Sequence, residues 1–225
     1  MSDSKKIPGI DVSRWQGNID FRKVKDAGFQ FVILKAGGSD KGFYKDRTFE
    51  RNYENATKAG LNVGAYYFVG KLFYGTESGV ADAKRFIDII GGRELGYPVF
   101  LDLETTQATR KKEATDAAIA FCETMEKAGY FCGIYASDIS GFKEKLEDDR
   151  LKAYAHWVAD YNDPVVYVKD YQMRQYSSKG YVPGVESNPT DLDFSLVDYP
   201  KIMKSKGLNN FKKEEKKRKK SEEKT

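Results

Sequence analysis

The chain has 225 residues, 40% of them hydrophobic and 32% charged, which suits a water-soluble globular protein of one large or two small domains. Two cysteines, Cys122 and Cys132, and one histidine, His156, exclude a disulfide framework and His-pair metal motifs and argue against a Ser-His-Asp triad. The net charge of +4 lies in the tail: residues 211–225 hold 8 Lys/Arg and 4 Glu, which leaves residues 1–210 balanced at 30 of each sign and argues against a nucleic-acid-binding body.

In chain order, "MSDSKKIPGI" lacks an apolar stretch after its lysines and does not read as a secretory signal. No run approaches the length of a membrane span. The expectation is a protein made in a host cytoplasm without a signal peptide, which needs release to meet any outside substrate. Three segments then share one joint: "VKDAGFQFVILKA", "TKAGLNVGAYYFV" and "EKAGYFCGIYAS". Each reads as a helix stopped at Ala-Gly, where glycine takes the left-handed conformation, followed at once by a strand. The helices have the right period, with Phe49, Tyr53 and Ala56 on one face. Val80, Ala83, Ile87 and Ile90 line a second helix, and Ala118, Phe121, Cys122 and Met125 a third. Cys122 and Cys132 read as buried free thiols.

Strands are expected near residues 9–13, 31–36, 62–68, 97–103, 131–136, 155–160, 171–176 and 190–195. Helices separate the first six, and loops such as "SSKGYVPGVESNPT" join the last three. The pattern predicts an α/β fold, an irregular TIM-like β/α barrel of about eight strands with a helix-poor C-terminal third. An open doubly wound sheet is the alternative. The barrel is expected over residues 1–208, with 209–225 a charged, disordered tail. Its "KKRKK" run is a solvated end that can also grip an anionic polymer.

The chemistry sits in "YPVFLDLETT". Side chains alternate along a strand, so Val99, Leu101 and Leu103 share one face while Phe100, Asp102 and Glu104 share the other. In a barrel these two acids point inward at a C-terminal strand end, where barrel enzymes build their sites. Asp11 in "GIDVSRW" and Asp191 with Asp193 in "TDLDFSL" repeat the pattern. Closure makes the first and last strands neighbours, so Asp11 and Asp191 converge on Asp102 and Glu104. Four acids in one mouth repel, and at least one pKa should rise, as glycoside cleavage by acid and base requires. The competing structural reading pairs these acids with lysines and arginines, Lys35 first among them. A divalent-metal site ranks below acid chemistry, because no phosphate-binding glycine loop accompanies it, and no cofactor is expected. The 15 Tyr, 14 Phe and 2 Trp fill the core and can also stack on sugars.

"GIDVSRWQGNIDF", "FVILKAGG", "AGLNVGAYYFV", "PVFLDLE", "GIYAS" and "QYSSKGYVPGVESNPTDLD" together resemble the motifs of glycoside hydrolase family 25 lysozymes. The resemblance runs from residue 8 to about 200. It implies a β/α barrel with five helices and three terminal strands, and N-acetylmuramidase activity on bacterial peptidoglycan, in a family with many phage endolysins. It implies Glu104 as proton donor and Asp11, Asp102 and Asp191 as the other active-site acids. Tyr66 and Tyr135 fall on tyrosines that line the family's cleft, and Trp157 and Gln175 on further cleft positions. Lys35 and Tyr176 complete the substrate-binding candidates. Departures are Arg174 before the Gln-Tyr pair where many relatives have Trp, Asp193 where many have Asn, and no glutamate after "KAGG". A chitinase of the D-x-x-D-x-D-x-E type is excluded by Tyr97 and Phe100. A non-catalytic wall-binding protein and a metal-dependent hydrolase are the remaining alternatives.

Overall fold

The computed structural model describes residues 6–213. Nine strands form one sheet: β1 (Ile7–Val12), β2 (Phe31–Gly38), β3 (Tyr44–Lys45), β4 (Asn62–Phe68), β5 (Val99–Asp102), β6 (Cys132–Ser137), β7 (Ala155–Ala159), β8 (Met173–Gly180) and β9 (Thr190–Ser195). Their order is β1-β9-β8-β7-β6-β5-β4-β2-β3, and β1 also pairs with β2, which closes eight of them into a barrel. The two-residue β3 hangs antiparallel on the end of β2. From β1 through β8 the barrel neighbours are parallel, whereas β9 runs antiparallel to both β1 and β8. The closed barrel excludes the open doubly wound sheet.

The helices α1 (Phe21–Asp26), α2 (Phe49–Lys58), α3 (Gly75–Ile90) and α4 (Lys111–Lys127) fill the first four links between barrel strands. The fifth link, between β6 and β7, holds only a π-helical stretch, Asp138–Lys143, and a 3-10 turn, Asp148–Arg150. The fifth α-helix, α5 (Tyr199–Lys206), follows the last strand instead. The three Ala-Gly joints end helices as the sequence implies, with Gly28, Gly60 and Gly129 at φ 98°, 78° and 87°.

Alternation along the strands sorts side chains into two cores. Val32, Leu34, Val63, Ala65, Val99, Leu101, Ile134 and Val158 point outward to the helices. Phe31, Ile33, Phe100, Tyr135, Trp157 and Met173 fill the barrel. The interior is tight enough to need glycine on the facing strand. A methyl group on Gly9 would lie 2.2 Å from the Phe31 ring, and one on Gly133 would lie 2.6 Å from Phe100.

The barrel floor is sealed from below by α5. Tyr199 packs edge-on against Tyr97 and Phe131, at 5.5 and 5.7 Å between ring centroids. Beyond it the fully buried Asn209 donates to the carbonyls of Leu95 and Tyr97 and accepts from the Phe131 amide. The packed body therefore passes the expected boundary at residue 208 and reaches Phe211, which packs with α5 against the floor. The rest of the expected tail, from 214 onward, lies outside the described residues, as does the start of the N-terminal stretch, 1–5. Among the described residues no helix is long and apolar enough to cross a membrane.

Candidate active site

The open end of the barrel carries the acids. Asp11 ends β1 and Asp191 begins β9, and the antiparallel pairing sets them directly opposite each other. Asp102 ends β5, level with Phe68 on β4 and Tyr135 on β6. Glu104 lies two residues beyond, exposed, with its backbone carbonyl accepting from Lys145 Nζ at 2.6 Å. One side of the mouth is a cavity of about 540 Å³ lined by Glu104, Tyr135, Ser137 and Tyr161. The four sequence-identified acids share this rim. The Tyr66 phenol senses Asp11, Asp102, Asp191 and Glu104 together, and burial and these acids hold it well above its ordinary pKa, as a neutral hydroxyl.

The acids are not ion-paired. None of the salt bridges among the described residues includes Asp11, Asp102, Glu104, Asp191 or Asp193. Lys35, the expected partner, points inward but sets its ammonium over the Phe68 ring at 4.3 Å, and acts on Asp102 only through space. The ion-pair reading is therefore corrected: burial and mutual repulsion dominate. Burial, then Asp193 and Asp191, push Asp11 well above the carboxylate range. Burial, then Glu104, do the same to Asp102 against the pull of Lys35. Asp191 rises to about 6, through burial and then Glu104. The expected rise thus falls on the aspartates.

A hydrogen-bonded chain holds Asp11 in place. Gln175 on β8 donates from Nε2 to Asp11 Oδ2 at 2.7 Å. Its Oε1 accepts from Tyr135 at 3.0 Å and from Tyr161 at 2.9 Å. Trp157 is 1% exposed, tilted against Tyr135 and Phe100, and donates from Nε1 to Asp193 Oδ1 at 2.8 Å. Trp157 and Gln175, expected as substrate-binding residues, are thus buried beneath the mouth, each donating to one of the acids. Asp102 Oδ1 is buried with no hydrogen-bond partner.

Tyr176 is the substrate-binding candidate that the structure moves away from the acids. It follows the inward Gln175 and so points out of the barrel, onto Phe194 at 5.9 Å between ring centroids. There it lines a second cavity of about 450 Å³ with Lys6, Tyr161 and Asp193. Three residues outside the sequence-named site candidates lie at the site. Asp193 lay on the acid face of its strand in the sequence. Tyr161 carried no periodic signal, because it lies in a loop. Asp138, fully buried just past β6, accepts the amides of Val166, Tyr167 and Val168 at 2.8–3.0 Å and ties down the loop that carries Tyr161. His156 lies on the outer wall, bonded to Asp148 and the Tyr154 carbonyl and stacked on Phe142. Cys122 and Cys132 are buried free thiols. Among the described residues no group of three His, Cys, Asp or Glu is arranged to hold a metal ion.

A closed β/α barrel with unpaired carboxylates around its C-terminal mouth has the form of a glycoside hydrolase. The profile of glycosyl hydrolases family 25 matches residues 10–185, and the chain belongs to that family. It is 27% identical to an autolytic lysozyme of Clostridium acetobutylicum over 188 residues, 83% of this chain and 55% of that protein. The chain thus spans little more than half of that relative's length. Among solved structures it is similar to the CTP1L endolysin, with TM-score 0.74 and 29% identity over 89% of this chain and 69% of that one. It is likewise similar to a bacterial lysozyme from Streptomyces coelicolor, with TM-score 0.70 and 27% identity over 85% of this chain and 92% of that one.

Proposed function

We propose that this chain is a peptidoglycan hydrolase, an N-acetylmuramidase that cuts the β-1,4 bond from N-acetylmuramic acid to N-acetylglucosamine with retention of configuration. The carrying observation is the set of four acids on one rim, unpaired by any cation, with Glu104 exposed beside Asp102. Glu104 gives its proton to the glycosidic oxygen as the bond to the anomeric carbon breaks. The carbonyl oxygen of the substrate's own N-acetyl group closes onto the anomeric carbon. Asp102, at the strand end beside Tyr135, orients that acetamido group. Water, deprotonated by the Glu104 carboxylate, then attacks the anomeric carbon from the face the leaving sugar vacated, and the bond to the acetamido oxygen breaks. Asp11 and Asp191 shape the field, while Tyr66, Tyr135 and Lys35 line the bound sugar.

The biological reading is a phage endolysin, made in the host cytoplasm and released to the wall at lysis. The similarity to a solved endolysin supports it. The basic tail is a candidate contact for anionic wall polymers. A non-catalytic wall-binding protein would have no use for so many uncompensated buried acids.

Purified peptidoglycan digested with wild type and with Glu104→Gln tests the reading. New muramic-acid reducing ends from the wild type alone are expected, with the variant folded and inactive. New glucosamine ends, or equal activity in the variant, would refute it.

A further inference from the structure

Asp193 is a fifth acid that the steps above leave unused. It sits on β9 between Gly9 of β1 and Gln175 of β8, completely buried. Lys6 and Arg174 line a cavity with it, but Lys6 sits over the Phe194 ring and Arg174 is paired with Asp163. From β1 comes Asp11, within hydrogen-bonding reach. From its own strand comes Asp191. From β7 comes the Trp157 indole, donating to Oδ1. From β8 come Gln175, whose amide nitrogen is committed to Asp11, and the Tyr176 phenol, which senses the Asp193 charge. Asp193 Oδ2 has no donor of its own. Two buried carboxyl groups this close, neither of them in a salt bridge among the described residues, repel strongly when both are ionised.

We propose that Asp193 is a positioning residue, sharing a proton with Asp11 so that Asp11 stays fixed under the substrate, and that loss of this proton sets the alkaline limit of hydrolysis. One carboxyl oxygen donates that hydrogen to the other residue's oxygen. Gln175 and Trp157 meanwhile hold the two outer oxygens. When the proton leaves for solvent, two anions face each other and the pair separates, which moves Asp11. The catalytic consequence rests on the muramidase reading, but the shared proton does not.

The same geometry supplies a readout free of activity. Trp157 is bonded directly to Asp193, and the only other tryptophan is Trp15. In a Trp15→Phe background, Trp157 emission reports ionisation of the pair. Burial first, then neighbouring aspartates, push both carboxyls of the pair up, so emission should change on the alkaline side of neutrality. Asp193→Asn is isosteric, keeps an acceptor for Trp157 and offers a permanent N–H to Asp11, so its emission should stay flat from pH 6 to about 9. Asp193→Ala should lose most hydrolysis and Asp193→Asn should restore it, with the alkaline limb of the rate profile moved up by about one pH unit or more. A wild type without the emission change, a change that persists in Asp193→Asn, or an unmoved alkaline limb in an active Asp193→Asn would overturn the proposal. A wild type that shows the emission change but cuts no peptidoglycan at any pH would overturn the muramidase reading and the alkaline limit with it, leaving the proton itself established.

Discussion

Replacing Asp191 by Asn should stabilise the protein, and only at pH values where the aspartate would be ionised in the unfolded chain. In the fold its pKa stands at about 6 against an ordinary 3.8, raised by burial and then by Glu104. The folded chain therefore holds a proton between those values that the unfolded chain has released. With fewer protons bound in the unfolded state, stability falls as pH rises through this window and stays lower above it. Two pKa units correspond to about 3 kcal/mol, which partial solvent exposure of the side chain reduces to about 1–2 kcal/mol. For a domain of this size that is a melting shift of about 2–8 °C. Melting both proteins from pH 3.5 to 7.5 gives the difference at each pH. It should be near zero below the ordinary carboxylate pKa, grow toward pH 6 and then level. A difference independent of pH, or a variant less stable at neutral pH, would refute the claim that repulsion in the mouth destabilises the fold. Loss of hydrolysis in the more stable variant would mark Asp191 as kept for chemistry.

Two further outcomes follow from buried partners. Gln175→Leu strands Asp11 Oδ2 and the Tyr135 hydroxyl together, which costs about 2–4 kcal/mol in urea unfolding. It should also lower kcat more than it raises KM, because Asp11 loses its anchor. Asp138→Ala removes the acceptor for three amides, at about 2–4 kcal/mol. Hydrogen exchange should then accelerate at Val166, Tyr167 and Val168 while the amides of β6 stay protected.

The acids were legible because strand alternation is strict. Once "PVFLDLE" is a strand, Asp102 must share a face with Phe100, and that face is the barrel interior. The same rule makes Tyr176 point outward, so the motif that names it beside Gln175 could not also place it in the cleft. The helical face lists held because each buries against a neighbour, as Ala83 and Phe121 do. The irregular link between β6 and β7 escaped a periodic reading, because a π-helical stretch has no 3.6-residue repeat to find. Loop contacts were equally invisible. Nothing near Asp138 announces that it will accept amides 28 to 30 residues away. The two roles of a tyrosine, sugar platform or network member, separate only when Tyr135 is seen donating to Gln175.

The antiparallel β9 is the least expected part of the barrel and the one on which the site depends most. Because it descends, the start of the strand rather than its end reaches the mouth, which is what sets Asp191 against Asp11. A slip of one residue would turn Asp191 and Asp193 to the outer wall and bring Leu192 inside. Register is therefore part of the catalytic design, and both ends of the strand are anchored. Above it, Asn188 accepts from Val182 and Thr190 and donates to Val185, while Glu186 pairs its amide with the Asn18 carbonyl of the loop after β1. Below it, Ser195 donates to the Val197 carbonyl where the chain turns into α5, whose Tyr199 is wedged into the barrel floor. A strand that carries two raised aspartates, with no cation to draw them inward, keeps its register through these neutral anchors at its two ends.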